Sequence, residues 1–417
     1  MSQASDSESK VSETKAGRAA FVFIFITILL DMLALGVMIP VLPKLIVVMK
    51  GGNIAEGAAL SGIFGFTWAA MQFFFSPVLG GLSDRFGRRP VVLLSNFGLG
   101  LDYILMAVAP TLPWLFLGRV ISGITTSTYP TACAYISDIT PPEKRAAKFG
   151  MLSAAFGLGF IVGPSVGGLL AGINLRFPFW VAAALSLLNA VYGYFILPES
   201  HAPENRSKSI TWKGLHPFGS LKYVRSVQGL LGLTMITFLF SLAHEALPSV
   251  FVLYTDLRYG WSESKVGAVL ALVGISTTIV SAMVVGPAVK KLGERTALIA
   301  GLFFGLTSFV IYGAAATGTI FLVGIPVMAF WGLISPSLQS MMSRKVPPSE
   351  QGQFQGALSS LRGISGMIGP LLFTQIFAAA IGKDVQIPGA PYFFAAFLLF
   401  LGMLWAWQVT RPRPLSS

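Results

Sequence analysis

Six ionisable residues stand where the sequence is otherwise hydrocarbon: Asp31, Asp102, Arg119, His244, Glu245 and Arg362. A charged side chain at bilayer depth costs roughly 2.5–3.5 kcal/mol on insertion scales, so each needs a reason to be there. The three acids face two permanent cations. If both arginines are paired, one carboxylate is left over, and burial disfavours the charged form of an unpaired acid. Such a group can take up and release a proton, which is the chemistry this set supports. Nucleophilic or metal chemistry has little to stand on. The chain has no HExxH, no GxSxG and no phosphate-binding glycine loop ahead of a lysine, and two of its three histidines, His201 and His216, lie in a polar stretch. It is not expected to be an enzyme or to need a cofactor or metal.

The elements that carry these residues are read from composition. Hydrophobic residues make up 54% of the chain and charged residues 11%, against about 25% charged in soluble domains. A bilayer core needs about 20 apolar residues per helix. Twelve runs qualify: 19–42, 57–80, 91–110, 113–137, 146–172, 177–197, 226–253, 265–289, 296–315, 318–342, 353–381 and 390–410. The first lacks a small-residue cleavage site and is expected to be retained as a span. Residues 1–18 and 411–417 are expected to be tails, the first disordered. The single cysteine, Cys133, cannot form an internal disulfide.

The formal charge of +12 does not point to nucleic acid, because the basic residues are scattered between apolar runs and form no patch. Their placement sets orientation instead. With the N-terminus inside, the inner tails and loops hold 21 of the 29 Lys and Arg residues, and the outer loops hold Lys44, Lys50, Arg176, Arg258, Lys265 and Lys383. Both termini are therefore expected in the cytoplasm. Arg119 and Arg362 are the two basic residues left within spans.

A repeat is hidden in the spacing. "GGLSDRFGRR" at 80–89 aligns without gaps on "GPAVKKLGER" at 286–295, an offset of 206. "PPEKRAAKFG" at 141–150 meets "PPSEQGQFQG" at 347–356, and Gly163-Pro164 meets Gly369-Pro370, at the same offset. The fold expected is all-α, twelve membrane helices in two pseudo-symmetric six-helix bundles, 19–197 and 226–410, joined by a cytoplasmic linker at 198–225. Such paired bundles place a substrate site near the midplane between them, with access alternating as the halves rock.

Three local motifs are more specific. In "GGLSDRFGRRPVVLLS", Gly80, Gly81 and Gly87 allow a tight turn and close approach, and Asp84 can pair with Arg85, Arg88 or Arg89, or sit at a helix N-terminus. In "FGLGFIVGPSVGGLL", Gly159, Gly163 and Gly167 fall four apart on one ridge with Gly168 beside them, and Pro164 removes a backbone donor. The third is "LGRVISGITTS", around Arg119. The first resembles the loop signature of the major facilitator superfamily, the third its proton-coupling motif, and the second the motif of its drug–proton antiporter branch. Together with "LLD…VMIPVLP", "LDYILMA" and "YGW" they resemble the tetracycline-resistance efflux proteins. That resemblance implies a conformational latch at the 80–89 loop and a tightly packed fifth span between the halves that limits leak. The second half carries Lys290 where the first has Asp84, so it cannot form the same latch.

Asp31 lies about 18 Å along the first span at 1.5 Å per residue, near mid-membrane. The resemblance places carboxylates at Asp31 and Asp102 and gives Arg119 the role of tuning an acid. The alternatives are a structural Asp31–Arg119 pair and a hydrogen-bond network anchored on Asp102. By the same resemblance, Thr277 stands where the efflux proteins have a coupling histidine and Gly305 where they have a coupling aspartate. Glu245, flanked by His244 and accompanied by Arg362, is the expected replacement. The alternative there is a Glu245–Arg362 salt bridge that only holds helices together.

Polar and aromatic side chains expected to line the cavity are Gln72, Gln339 and Gln375 with Tyr129, Tyr135, Trp331 and Phe373. A mostly apolar pocket with few polar anchors suits a medium-sized amphipathic compound. The function this implies is proton-coupled antiport of a drug-like molecule, tetracycline among the candidates, by a monomer in the cell membrane driven by the proton gradient. The alternative is symport or uniport of a metabolite such as a sugar or organic acid.

Overall fold

The computed structural model describes residues 2–126, 128–206, 221–227, 229–347, 350–382 and 386–411. Of the expected linker, 207–220 lie outside the described residues, as do 412–417 of the C-terminal tail. Among the described residues there is no strand. The helices are α1 (Ser2–Met38), α2 (Leu42–Met49), α3 (Ile54–Phe86), α4 (Arg88–Val108), α5 (Leu112–Thr125), α6 (Thr128–Ile139), α7 (Pro142–Ile173), α8 (Phe177–Ile196) and the short α9 (Leu221–Ser226). They continue as α10 (Leu230–His244), α11 (Ala246–Tyr259), α12 (Glu263–Val280), α13 (Gly286–Leu292), α14 (Glu294–Ala314), α15 (Gly318–Ala329), α16 (Ile334–Ser343), α17 (Gln351–Ala380) and α18 (Ala390–Val409). Among the described residues, eleven segments are long and apolar enough to cross a membrane. The remaining expected span, 113–137, is present as α5 and α6 with a break between them. This is a multi-pass membrane protein. The polar stretch 2–18, expected to be disordered, continues α1; it contains no proline, and its Ala, Glu and Lys are good helix formers.

The breaks have one cause. A proline has no N–H and its ring clashes with the carbonyl four residues earlier. Thr126 lies four before Pro130, His244 four before Pro248, and Gly332 four before Pro336. The chain responds with the α5–α6 break, with the α10–α11 break at Glu245, and with a 3-10 turn over Phe330–Leu333. Met283, four before Pro287, falls in a π-helical turn over Ser281–Val285. Prolines 77, 164, 326 and 370 are carried inside helices that stay continuous.

Helix boundaries recur at the offset seen in the sequence. α4 and α14 begin and end 206 residues apart, as do the ends of α1 and α10. Gly87 and Gly293, also 206 apart, precede α4 and α14 with φ of 105° and 78°. Glycine, which has no Cβ, adopts that region at little steric cost. The loop motif therefore turns at Gly87 alone. Contrary to the expectation for Gly80 and Gly81, α3 runs straight through both, and a methyl at Gly80 would meet nothing within 4 Å.

Two long helix pairs carry most of the contact between the halves, α3 with α17 and α7 with α12, and α11 also touches α2 and α3. We call the end with the chain termini and the 84–88 loop inner, following the orientation predicted above. At the outer part of the α7–α12 seam the backbones touch: a methyl at Gly168 would overlap the Glu263 carbonyl, and one at Gly267 the Pro164 carbonyl. Ser264 donates to the Gly168 carbonyl at 3.2 Å and Ser165 to that of Gly267 at 3.3 Å. Further in, Gly274 still meets Ile161, but methyls at Gly157, Gly150 and Gly286 would meet nothing within 4 Å. The halves meet at the outer end and part toward the inner one.

A clasp completes the outer seal. Lys44, on α2, places its ammonium 3.2 Å from Asp256 and 2.9 Å from Glu263 and donates to the Trp261 carbonyl at 3.4 Å, all in the second half. Its side chain is only 12% exposed. Val47 of α2 and Ala58 of α3 are buried in the apolar core of the second half. Charge-assisted hydrogen bonds contribute about 1.5–3 kcal/mol, at least a tenfold effect on an open–closed balance. In a Cys133→Ser background, Lys44→Ala is expected to raise labelling of Ser61→Cys by impermeant maleimide added outside intact cells by about tenfold. Unchanged labelling would show that Lys44 does not hold the seal.

Candidate functional site

A cavity of about 820 Å³ lies between the halves. The first half supplies α1, α2, α3, α5 and the α5–α6 break; the second supplies the start of α11 and one face of α17. The wall is mostly apolar, with Leu35, Met38, Ile46, Trp68 and Phe73 prominent. Ser76, Pro77, Gly356 and Ser359 line its inner end, and beyond them methyls at Gly80 of α3 and Gly352 of α17 would meet nothing within 4 Å. Access is thus from the inner side.

Three charged side chains line this space: Arg119, Glu245 and Arg362. Glu245 occupies the proline-induced break between α10 and α11, and its Cβ and Cγ lie against α17 where Gly369 leaves room. Its Oε1 would be 3.9 Å from a methyl at Gly366. Arg362, one turn earlier on α17, is exposed to the cavity. No ion pair joins it to Glu245 among the described residues. The salt bridge weighed as an alternative is therefore absent from this conformation. His244 is exposed beside Trp331, ring centroids 5.6 Å apart, and does not line the cavity.

Behind the first-half wall lie the other two acids. Asp102 on α4 is fully buried, neither oxygen has a hydrogen-bond partner among the described residues, and Oδ1 rests where a side chain at Gly118 would be. Arg119, next along α5, feels the charge of Asp102 without an ion pair within 4 Å. Its guanidinium sits over the Trp68 ring at 5.3 Å, while Nε and Nη1 have no hydrogen-bond partner among the described residues. Asp31 is 6% exposed and stands beside Thr128, with Oδ1 unpartnered. It forms no pair with Arg119. The buried Tyr103 lies within the electrostatic reach of Asp31, Asp102 and Arg119 together.

The glycine ridge of α7 packs inside the first half as well as between halves. Methyls at Gly159 and Gly163 would lie 2.7 Å from Met32 Cβ and 2.8 Å from Gly36 Cα of α1, and one at Gly167 would strike the Val37 carbonyl. Gly168 and Pro164 turn the opposite face to α12.

Comparison with known proteins bears directly on this architecture. The sequence matches the Major Facilitator Superfamily over residues 24–370 and 278–417. It is 39% identical to the class C tetracycline resistance protein of Escherichia coli, over 87% of this chain and 90% of that one. It is 35% identical to the class G tetracycline resistance protein of Vibrio anguillarum, over 88% and 92%. Among solved structures, a nucleoside transporter superposes with a TM-score of 0.76 at 13% identity, over 94% of this chain and 100% of that one. This chain is a member of the Major Facilitator Superfamily.

The superfamily loop motif forms a compact charged cluster within the first half. Arg88 pairs with Asp84 at 2.5 Å and Asp138 at 3.2 Å, and His201 is 3.6 Å from Asp138. Glu199 accepts from the backbone N–H groups of Arg88 and Arg89 at 2.8 and 3.3 Å, at the start of α4 where the helix dipole favours an anion. Arg89 donates to the Tyr194 carbonyl and covers its ring, while Arg85 is exposed over Phe86. Asp84 has no ion pair with the second half among the described residues. In the second half Glu294 pairs with Arg344 and accepts from Ser340. These positions are 206 beyond Arg88 and Asp138, so the same pair recurs with its charges exchanged.

Of the polar and aromatic residues expected in the cavity, Gln72 lines it. The others do not. Tyr135 is buried and donates to the Pro198 carbonyl at 2.8 Å; Tyr129 packs edge-on against Phe156. Phe373 is buried against Phe394, Trp331 against Phe240 and Phe309, and Gln339 is half-buried off the cavity. Gln375 donates across the halves to the Ala59 carbonyl at 3.2 Å. Trp331 bears on one departure noted above: a side chain at Gly305 would come within 2.6 Å of its ring, so an acid there would require the indole to shift. Thr277 is exposed and donates to the Val273 carbonyl. Residues missed in the sequence are Trp68, one turn from Gln72, and the α17 face of Ser359, Gly363, Gly366 and Pro370 around Arg362. Their helical spacing was the available signal.

Because Asp102 and Arg119 are both buried and act on each other, removing one leaves the other uncompensated. Arg119→Gln is expected to lower the unfolding midpoint in detergent by several degrees, with Asp102→Asn added to it recovering part of the loss. Strictly additive losses would show the two groups to be independent.

Proposed function

We propose that the protein exports amphipathic, drug-like small molecules in exchange for protons, by alternating access in the cell membrane with both termini in the cytoplasm. The observation that carries the reading is the pairing of an inward-open, largely apolar cavity with ionisable side chains on its wall that have no permanent partner. The relatives carry names of tetracycline resistance, which makes tetracycline the first compound to test.

Glu245 serves as the proton carrier of the second half and Asp31 as that of the first, with Asp102 and Arg119 setting the field around Asp31. When Glu245 holds a proton, an apolar wall faces the halves and they close; when it loses the proton to the cytoplasm, a carboxylate in the open cavity is hydrated and favours the inward-open state. The reverse swing requires the Lys44 clasp to break and the inner ends to approach. The Asp84–Arg88 cluster then acts as the inner latch, and the tight seams of α7 exclude leak. One proton moving down one pH unit and 100 mV yields about 3.7 kcal/mol, several hundred-fold accumulation of a neutral substrate. No cofactor is required, and each half-pair forms a complete cavity, so a monomer suffices.

In everted vesicles energised to an acid interior, the protein is expected to drive tetracycline uptake that collapses with a protonophore. Glu245→Gln and Asp31→Asn should each cut proton-driven uptake at least tenfold while leaving energy-independent exchange of the drug measurable. Uptake with unchanged pH dependence in Glu245→Gln would remove Glu245 from the coupling.

A further inference from the structure

We infer that the cavity prefers amphipathic organic molecules bearing a delocalised oxyanion, a carboxylate or a comparably acidic enolate, anchored on Arg362. The inference rests on the export reading and narrows its substrate class.

The charge inventory of the wall is uneven. Two guanidiniums, Arg119 and Arg362, face it against one carboxylate, Glu245, because Asp31 and Asp102 stand behind the surface. A guanidinium stays protonated in any protein environment. The two arginines are not equivalent. Arg119 is buried, its plane is taken up by the Trp68 ring, and Asp102 lies behind it. Arg362 is exposed to the cavity and has no ion pair, hydrogen bond or ring contact among the described residues. Glu245 does not neutralise it: that side chain is seated against Gly369 and Gly366, the latter a full turn further along α17.

The surroundings of Arg362 leave its fork open. Ser359, Gly363 and Gly366 are its neighbours on the cavity face of α17, and none has the bulk to cover it. Across from it, Phe73 of α3 comes so close to Gly363 that a methyl there would lie 2.5 Å from the ring, so an aromatic wall adjoins the cation. Trp68, Leu35 and Met38 extend the apolar surface. A planar guanidinium next to apolar walls matches a carboxylate through two parallel hydrogen bonds, stronger there than in bulk water. A carboxylate attached to an apolar body satisfies both features at once. A permanent organic cation meets repulsion from the same group.

The test is binding to the purified full-length protein, with no proton gradient, read by fluorescence. Dansyl-leucine supplies the carboxylate on an apolar body, its methyl ester removes only the charge, and ethidium supplies a cation. Wild type is expected to bind dansyl-leucine at least tenfold more tightly than the ester and than ethidium. Arg362→Gln should abolish the acid-over-ester preference, and Arg362→Lys, which keeps the charge but not the fork, should retain part of it. Equal affinity for acid and ester, tighter binding of ethidium, no binding of any probe, or a preference unchanged in Arg362→Gln each overturns the assignment. Should Arg362→Gln not fold, the acid-against-ester comparison in wild type and Arg362→Lys decides alone. A retained acid preference alongside failed proton-driven uptake would sink the export reading and leave this one standing.

Discussion

A backbone carbonyl that has lost its hydrogen-bond donor cannot face hydrocarbon, and this constraint decides where the site can be. Within a bilayer, irregular backbone is tolerated only against protein or a water-filled cavity. The chain places prolines so that carbonyls are orphaned at mid-span in α5–α6 and α10–α11, and Thr126 and Glu245 at those breaks both line the cavity. The end of α1, at Met38 and Ile39, lines it too. The other two irregular turns, Ser281–Val285 and Phe330–Leu333, pack on each other, with Gly332 against Ser281 and Val285. The prolines at these two breaks thus shape the cavity and place the one acid that lines it among the described residues.

The remaining helices have the opposite task of closing gaps. Small residues allow α7 to touch α1 and α12, and α3 to touch α17, at backbone distance. In lipid there is no hydrophobic drive between helices, so packing and polar contacts must supply the adhesion. That adhesion is graded along the molecule. At the outer end it includes the Lys44 clasp and serine-to-carbonyl bonds; toward the inner end the glycines face open space. A seam strong at one end and weak at the other acts as a hinge, which is what alternating access needs.

How much of this could be read in the sequence depends on what each signal measures. Span positions and the 206-residue repeat were legible because apolar run length and glycine or proline placement are local properties, and the boundaries of α4 and α14 repeat as the motif does. The rare charges were legible for the same reason, and Arg119, Glu245 and Arg362 reach the cavity. Side-chain direction was not. In a helix apolar all round, periodicity carries little information about which face is central, so Tyr135 and Phe373 could be expected in the cavity and lie instead in packed cores. The Lys44 clasp joins residues more than 200 apart in sequence, and a basic residue in a loop signals only topology until its partners are seen.

The two halves share a backbone but divide the chemistry. Arg88–Asp138 and Glu294–Arg344 occupy matching positions with charges exchanged, so the same backbone accommodates an ion pair of either polarity there. The acids diverge in the same way. In the first half Asp31 and Asp102 are enclosed around Tyr103 and Arg119, where fields are strong and water is scarce. In the second, Trp331 fills the space at Gly305, and the carboxylate present, Glu245, stands at a break that opens onto the cavity. An enclosed acid responds to the tilt of the helices around it, whereas an exposed one responds to whatever occupies the cavity. The two halves therefore hold their acids in different surroundings, one kind enclosed in protein and the other facing the cavity, so the same rocking motion would change the solvation of each in a different way.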